Sequence, residues 1–564
     1  MRADVAEWRG LGADAPRWRT FTPERRLLVA ARTVTSAVRA LEVLPLLVRG
    51  DPRVDVVFAY DPGSAFHHGV LDLLHEHRCR VLPWHQIGEA DPHLVLSASE
   101  NLDLPDGDCP LLVLPHGIGF QKQVPDSRGP LTRLSGLVPE RLLPRTWLAV
   151  SHPDELRQLA ALDPRAAERA VELGDPCFER LRAGLGSRPA YRAALGVQDR
   201  QRLVVLSSTW GPTSLLGRDP ALPSRLLAQL PLDGYRVALV THPNVSSWHG
   251  SWQLDSLQAD AVAAGLALVP PTAGWQAAVT AADVLVGDHG SVTLYGAALG
   301  RPVLLAAFGS DAVPGTAGSL LRHTAPHLDP DRPLAGQLAS AVHDHRPEQG
   351  RRLAERAFGY GEGAVDRLRE TLYGLLKLSE PDALVPRLAF PVPRLTLPRP
   401  PAALVDTTCA PSAQDPLDQG RAVVEVRRRP AAVSAADREP PPRDGFRHLS
   451  CAQDEPDLQL LHSASVVHRA APAATAVAAR RWALAVLEDF PGCRLAAVPV
   501  DGGFLLSVRG GRLVRASVTG GGADPGLVAA ALYSCLRAGI RVDDVTVELR
   551  VGDRELDVAL RALP

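Results

Sequence analysis

Short apolar runs alternate with amphipathic segments from residue 26 to residue 186 of this chain. The runs are Arg26–Ala31, Val54–Tyr60, Cys79–Trp84, His93–Ser97, Pro110–Pro115, Thr146–Ser151 and Ala170–Gly174. Between them, Val34–Leu47 and Phe66–His77 space their apolar residues as helices do. Strands that alternate with helices predict βαβ units and a parallel sheet. A second series starts after Gly196, with runs at Arg202–Ser207, Tyr235–Thr241, Leu266–Val269, Asp283–Val286 and Pro302–Phe308. Pro347–Leu378 reads as a helix pair that closes it. The pattern therefore predicts a 1–25 extension and two consecutive α/β lobes, 26–190 and 196–378.

The periodicity then stops. Residues 379–447 hold 13 of the chain's 50 prolines, including Pro440-Pro441-Pro442, and read as a Pro-rich linker, extended or disordered. Residues 448–564 read as a small α+β domain. Ala473–Asp489 and Pro525–Ala538 are its helices. Leu495–Pro499, Phe504–Val508, Leu513–Val518 and Val545–Val551 are its strands, with hairpin signals at Gly502-Gly503 and Gly510-Gly511. The default reading of this domain is a binding or regulatory module. Gly520-Gly521-Gly522 reads as a flexible turn.

Composition narrows the class. With 564 residues, 46% apolar and 22% charged, the chain has ample core for three or four domains of ~100–200 residues each. A net charge of -2 gives no electrostatic case for nucleic acid or an acidic membrane as the main partner. Lysine occurs only at Lys122 and Lys377, and Arg supplies the other basic residues. Seven dispersed cysteines contain no CxxC-type pair, which argues against a zinc or redox motif and fits reduced thiols in a cytoplasm. The N-terminus shows no signal-peptide pattern, and no uncharged apolar run approaches the ~18 residues of a membrane span. The Arg-rich Trp8/Trp18 segment is open to two readings, peripheral membrane contact or docking on a lobe.

Motif chemistry excludes more. No GxxxxGK[ST], GxSxG or HExxH is present. His67, His68, His75 and His77 read as a solvated helix face rather than metal ligands. Gly359–Gly363 follows no strand and reads as a helix–helix turn. The candidate chemistry lies in loops at predicted strand ends, where parallel sheets bind ligands. Leu114–Lys122 places His116 beside Gly117 and Gly119, with Lys122 following. Gly174-Asp175-Pro176 begins a helix, and a plain cap by Asp175 explains it. Ser207–Pro212 offers hydroxyls and a glycine that hold a phosphate or cap a helix. Thr241–Asn244 carries His242. Gly287–Val292 opens an apolar helix, whose free N–H groups favour an anion at Gly290 and Ser291.

Two lobes carrying these loops resemble the GT-B fold, here as two Rossmann-like lobes, and the CDP-glycerol glycerophosphotransferases of teichoic acid synthesis in particular. The matching elements are His116-Gly117 with Lys122, Gly174-Asp175-Pro176, Ser208-Thr209-Trp210, His242-Pro243, and Gly287-Asp288-His289-Gly290-Ser291 with Arg301-Pro302, in the family's order. The resemblance covers roughly residues 50–375. The family's Tyr–Ser of the fifth element is His289-Gly290 here, and its later acid falls near Tyr295. Asp288–Pro302 is also similar to UDP-GlcNAc 2-epimerases, without their paired glutamates.

The resemblance implies a transferase that moves a glycerophosphoryl or glycosyl group from a nucleotide-activated donor to an acceptor hydroxyl. His116 would be the general base. Thr209, His242, Asp288, Gly290 and Ser291 would hold the donor diphosphate, with Asp288 orienting His242 or capping the helix. Lys122 would meet a donor or acceptor phosphate. No metal or cofactor is implied, since the donor is a substrate. The acceptor would be a cell-wall or secondary-metabolite precursor. Two alternatives stand beside this reading: a non-catalytic GT-B-like protein that binds a nucleotide or a partner, and a UDP-sugar epimerase-like enzyme.

Overall fold

Leu27, Leu28 and Val29 have no exposed surface in the computed structural model of the chain, because their strand is covered on both faces. The structure describes residues 17, 19–125, 132–138, 144–359, 362–395, 397–411, 421–433, 443–519 and 523–564. The Trp8/Trp18 segment, the triple proline, Gly520–Gly522, and Tyr360 and Gly361 of the glycine turn lie outside these residues.

The first lobe is a seven-stranded parallel sheet. Its spatial order is Val81–Pro83, Val54–Tyr60, Arg25–Ala31, Leu94–Ser97, Leu111–Val113, Thr146–Val150 and Ala170–Glu172. The second lobe orders five parallel strands as Ala267–Val269, Tyr235–Thr241, Arg202–Ser208, Val284–Gly287 and Val303–Leu305. In each lobe the first strand lies inside the sheet, and the strand order reverses beside it. That reversal opens a crevice at the carboxyl ends of the strands, where open α/β sheets bind ligands. The expected pair of Rossmann-like lobes is present.

The chain crosses between the lobes twice, which corrects both lobe boundaries. Cys177, Phe178 and Leu181, placed by sequence in the first lobe, pack in the core of the second, as does Tyr191 from the stretch between the two expected lobes. The closing helix pair separates as well. Pro347–Phe358 stays on the second lobe through Leu353, Ala357 and Phe358. Ala364–Leu376 returns to the first, burying Val365, Leu368, Leu372, Tyr373 and Leu376 against it. Apolar spacing gives a helix its buried stripe, but not which sheet covers the stripe. Gly69, in a left-handed conformation at φ 86°, delays the expected Phe66–His77 helix to Val70–Glu76. His75 and His77 lie exposed, as read.

The Pro-rich stretch is not a free linker. Its first part, up to Pro400, is an extended strap fastened to the lobes. Arg180 and Tyr191 donate to the carbonyls of Leu388 and Phe390, and Arg236 donates to that of Pro398. Its second part forms strands Ala402–Pro411 and Arg421–Pro430. Ala422, Val424 and Val426 are buried while Glu425 and Arg427 are exposed, a period-two pattern that the surrounding prolines and arginines obscure.

These strands open a closed nine-stranded barrel that the sequence reading did not foresee. Around it run Ala402–Pro411, Arg421–Pro430, Asp544–Val551, Arg554–Leu563, Leu513–Thr519, Gly503–Val508, Leu495–Val500, Val466–His468 and Gly445–Ala452. Every residue from Pro525 to Cys535 of the Pro525–Arg537 helix is buried. A helix apolar on all sides must be enclosed, and this one shares a core with Val405, Val424, Leu506, Val514, Val547 and Val558 of the barrel wall. The Ala476–Asp489 helix covers the wall from outside, with Ala479 against Val498 and Leu505.

Candidate functional site

The strand ends of the two lobes face one cleft, with a cavity volume of about 310 Å³. It is lined by His116 and Lys122 from the first lobe and by Thr209, Trp210, His242, Gly290 and Ser291 from the second. Five of the six expected catalytic and donor-binding residues, and Lys122, therefore meet at one place.

The two histidines present opposite edges. His116 Nδ1 lies 3.2 Å from the carbonyl oxygen of Ala98 and donates to it. Its Nε2 is left with the lone pair of a base. Burial lowers its pKa below the ordinary imidazole value, against the pull of Glu100. His242 caps the Pro243–His249 helix, and its Nδ1 accepts the backbone N–H of Asn244 at 3.1 Å. Its proton therefore sits on Nε2, a donor. Burial first, then the charges of His116 and Lys122, push its pKa down to about 3. Both rings are neutral at pH 7, one able to accept a proton and the other to donate a hydrogen bond.

Asp288 is not part of the cleft lining. It is fully buried, and accepts backbone N–H groups from Thr209 at 2.8 Å, Leu215 at 2.8 Å and Gly290 at 2.9 Å. Burial raises its pKa, against these bonds. Its contribution is to bind the Ser207–Pro212 loop to the start of the Ser291–Ala298 helix. A carboxylate held behind the loop leaves the helix N-terminus free of a competing anion. Gly290 ends that helix without a side-chain cap, so its first N–H groups remain available. Ser291 Oγ accepts the N–H of Ile118 at 3.1 Å from the other lobe. A Cβ on Gly117 would stand 2.7 Å from that oxygen, so the close approach requires glycine.

Lys122 is paired. Its Nζ lies 3.2 Å from Asp311 and 5.1 Å from the centre of the Trp210 ring. Asp311 also accepts from His289 Nε2 at 3.1 Å and from the Thr213 hydroxyl at 3.3 Å. Burial alone would raise Asp311, but His289 and Lys122 hold it well below the usual carboxylate range. Gln123 N–H donates to the Asp311 carbonyl at 2.7 Å, so this loop pair bridges the lobes. Sequence reasoning missed Asp311. It follows the apolar run Pro302–Phe308, a strand-end signal that was available.

A second bridge lies beneath the cleft. The Tyr295 hydroxyl donates to Asp175 at 2.6 Å and receives Arg39 at 3.2 Å. Asp175 caps its helix as read, accepting Phe178 N–H at 2.8 Å, and so has two tasks. Glu155, buried behind the His116 loop, has its pKa raised by burial to about 8. Phe120 in that loop adopts φ 55°, a left-handed conformation uncommon for a residue with a side chain. Among the described residues, no group of three or more His, Cys, Asp or Glu is placed to hold a metal ion. No described helix is long and apolar enough to cross a membrane.

No family model and no curated protein matches the chain. In structure it resembles the wall teichoic acid polymerase TagF, at 12% identity and a TM-score of 0.44 over 63% of this chain and 90% of that one. It also resembles the UDP-GlcNAc 2-epimerase of Neisseria meningitidis, at 13% identity and 0.40 over 62% and 100% of the two chains. A glycosyltransferase of Rickettsia africae ESF-5 follows at 10% identity and 0.36, over 64% and 100%. At such identities and scores the likeness assigns neither a substrate nor a reaction.

Proposed function

We propose that the protein transfers a glycerophosphoryl or glycosyl group from a nucleotide-activated donor to an acceptor hydroxyl in the interlobe cleft. The observation that carries this reading is the pair of opposite tautomers, His116 with a free Nε2 and His242 with an Nε2–H, lining one cavity. His116 takes the acceptor's hydroxyl proton as its oxygen attacks the donor at phosphorus or at the anomeric carbon. The bond to the leaving nucleotide breaks, and its phosphate oxygens collect the electron pair. His242 Nε2–H and the N–H groups after Gly290 stabilise that charge without reorganising. Attack at phosphorus releases a nucleoside monophosphate, and attack at carbon releases a nucleoside diphosphate. Thr209 and Ser291 add hydroxyls to the cradle.

One observation favours the non-catalytic alternative. Lys122 and the Ser291 oxygen are already engaged, by Asp311 and Ile118. The epimerase-like alternative needs paired carboxylates at the start of the Ser291–Ala298 helix, where Thr293, Leu294 and Tyr295 stand instead. Calorimetric titration of the full chain with CDP, UDP, GDP, ADP and CDP-glycerol, beside His242→Ala, tests the proposal. Binding of one nucleotide that weakens in the variant supports the donor cradle and names the base. No binding by the folded protein overturns it in favour of a partner-binding protein.

A further inference from the structure

Large apolar side chains scattered singly over a surface are ordinary, but a cluster of them marks contact with something. Trp248, Trp252 and Leu257 are 64%, 76% and 62% exposed and fall within one ten-residue stretch. They sit on consecutive helices, Pro243–His249 and Ser251–Leu257, directly after the loop that carries His242. None of the described residues covers them.

The Trp248 end of this stretch is continuous with the cleft. The His242 and Trp210 ring centres are 6.5 Å apart, Trp210 and Phe66 5.2 Å, and Phe66 and Trp248 5.9 Å. Aromatic rings thus lead from the half-buried His242 imidazole to open solvent. Phe66 belongs to the first lobe, and Trp210 and Trp248 to the second. The lobes are joined at that point, where the Ser247 hydroxyl donates to the His68 carbonyl at 3.1 Å.

The polar residues between the indoles decide the chemistry. The stretch 243–257 holds no Lys or Arg, a single Asp and a single His, with Asn244, Ser246, Ser247, Ser251, Gln253 and Ser256 among its apolar residues. An anionic polymer or an anionic membrane would call for cations on this stretch, which holds none, and Lys122 beside Trp210 is paired with Asp311. Hydroxyl and amide groups interleaved with indole faces suit a neutral ligand with apolar C–H faces and a hydroxyl rim. A sugar ring has both. We propose that the Trp248–Trp252 face is the acceptor track of the cleft and that its occupant is a neutral saccharide chain, whose terminal hydroxyl is led past Phe66 and Trp210 toward His116. The acceptor role rests on the transferase reading. The saccharide-binding face does not.

The test uses the full chain, Trp248→Ala and Trp252→Ala. Each is titrated calorimetrically with maltotetraose, cellotetraose and chitotetraose, and separately with the nucleotides. Each is also sedimented with phosphatidylcholine vesicles, with and without phosphatidylglycerol. Exposed positions tolerate alanine, and an unchanged melting temperature verifies that. The expected result is binding of at least one tetrasaccharide, weakened about tenfold or more in each variant, as loss of an aromatic contact worth ~1.4 kcal/mol requires, with nucleotide affinity unchanged. Failure of every tetrasaccharide to bind overturns the proposal, as does binding that neither variant weakens. Vesicle binding lost in the variants, with no saccharide binding, also overturns it and makes the face a lipid contact. Saccharide binding at these tryptophans without any nucleotide binding overturns the acceptor role alone.

Discussion

Two histidines of this chain are pushed to about 3 by the same cause, burial, yet the cleft and the barrel use them differently. His242 accepts a backbone N–H on one nitrogen and lines an open cavity with the other edge. His448, on the barrel strand Gly445–Ala452, has no hydrogen-bond partner on either nitrogen among the described residues and packs with its ring centre 4.2 Å from that of Tyr533 on the enclosed helix. A depressed pKa reports desolvation in both places. What separates a candidate reactive group from a packed one is the second ring nitrogen and the space in front of it. The architectures explain the contrast. A parallel sheet leaves the ends of its strands open, whereas a barrel wrapped around an apolar helix has filled its interior.

The largest effect expected on the cleft side is from His116→Ala. Transfer activity should fall by about 10²–10⁴-fold, the usual contribution of a general base, while nucleotide affinity and melting temperature hold. An equal loss of stability would make His116 a packed residue like His448 and break the comparison. On the barrel side, Arg428 joins Asp233 of the second lobe at 2.6 Å to Asp524, which caps the enclosed helix, at 2.7 Å. Asp524 keeps nearly half its side chain exposed, so Arg428→Ala should cost about 2 kcal/mol, between the surface and buried limits. Denaturant unfolding should show it, with nucleotide binding untouched.

Acid sharpens the contrast. An ordinary imidazole binds its proton near pH 6.5, and His448 resists until about 3. The unfolded chain therefore binds more protons across that window. The stability His448 contributes is full above 6.5 and is lost as pH falls toward 3. His448→Phe removes the titration and keeps a ring against Tyr533. Its melting temperature should fall less steeply than the parent's from pH 6.5 downward, and parallel curves would show that His448 titrates in the barrel as it does in the unfolded chain. Glu155 runs the other way. Its folded pKa of about 8 lies above the ordinary carboxyl value, so the stability it contributes is full below that ordinary value and lost as pH rises toward 8. Glu155→Gln should accordingly gain on the parent between pH 5 and 8. The smallest effect is Tyr295→Phe, which removes the bonds to Asp175 and Arg39 and should cost about 1–2 kcal/mol in melting or denaturant curves.

The lobes were legible because their strands are continuous apolar runs. Val54–Tyr60 and Tyr235–Thr241 coincide with the runs read from the sequence, and the loops after such runs hold His116, Thr209, His242, Gly290 and Ser291. Asp288 was legible as a residue of that loop, but its partners were not. Whether a carboxylate faces a ligand or backbone N–H groups depends here on two donors 73 and 79 residues away. Asp311 was lost for the same reason, since its partners Lys122 and His289 arrive from different lobes. The barrel was lost because Ala402–Pro411 and Arg421–Pro430 lie among prolines, and because closure is a property of pairing between distant strands.

The sequence by itself determined the local periods and the residue types at the strand ends, because these follow from short-range sterics and from which side chains must leave water. Only the tertiary structure decided which sheet covers the helices 176–183 and 364–376, which nitrogen of each histidine carries its proton, and that aromatic rings lead out of the cleft to Trp248. Those depend on what packs across hundreds of residues, and a hydrogen bond or a buried face acquires its meaning only from the partner that arrives there.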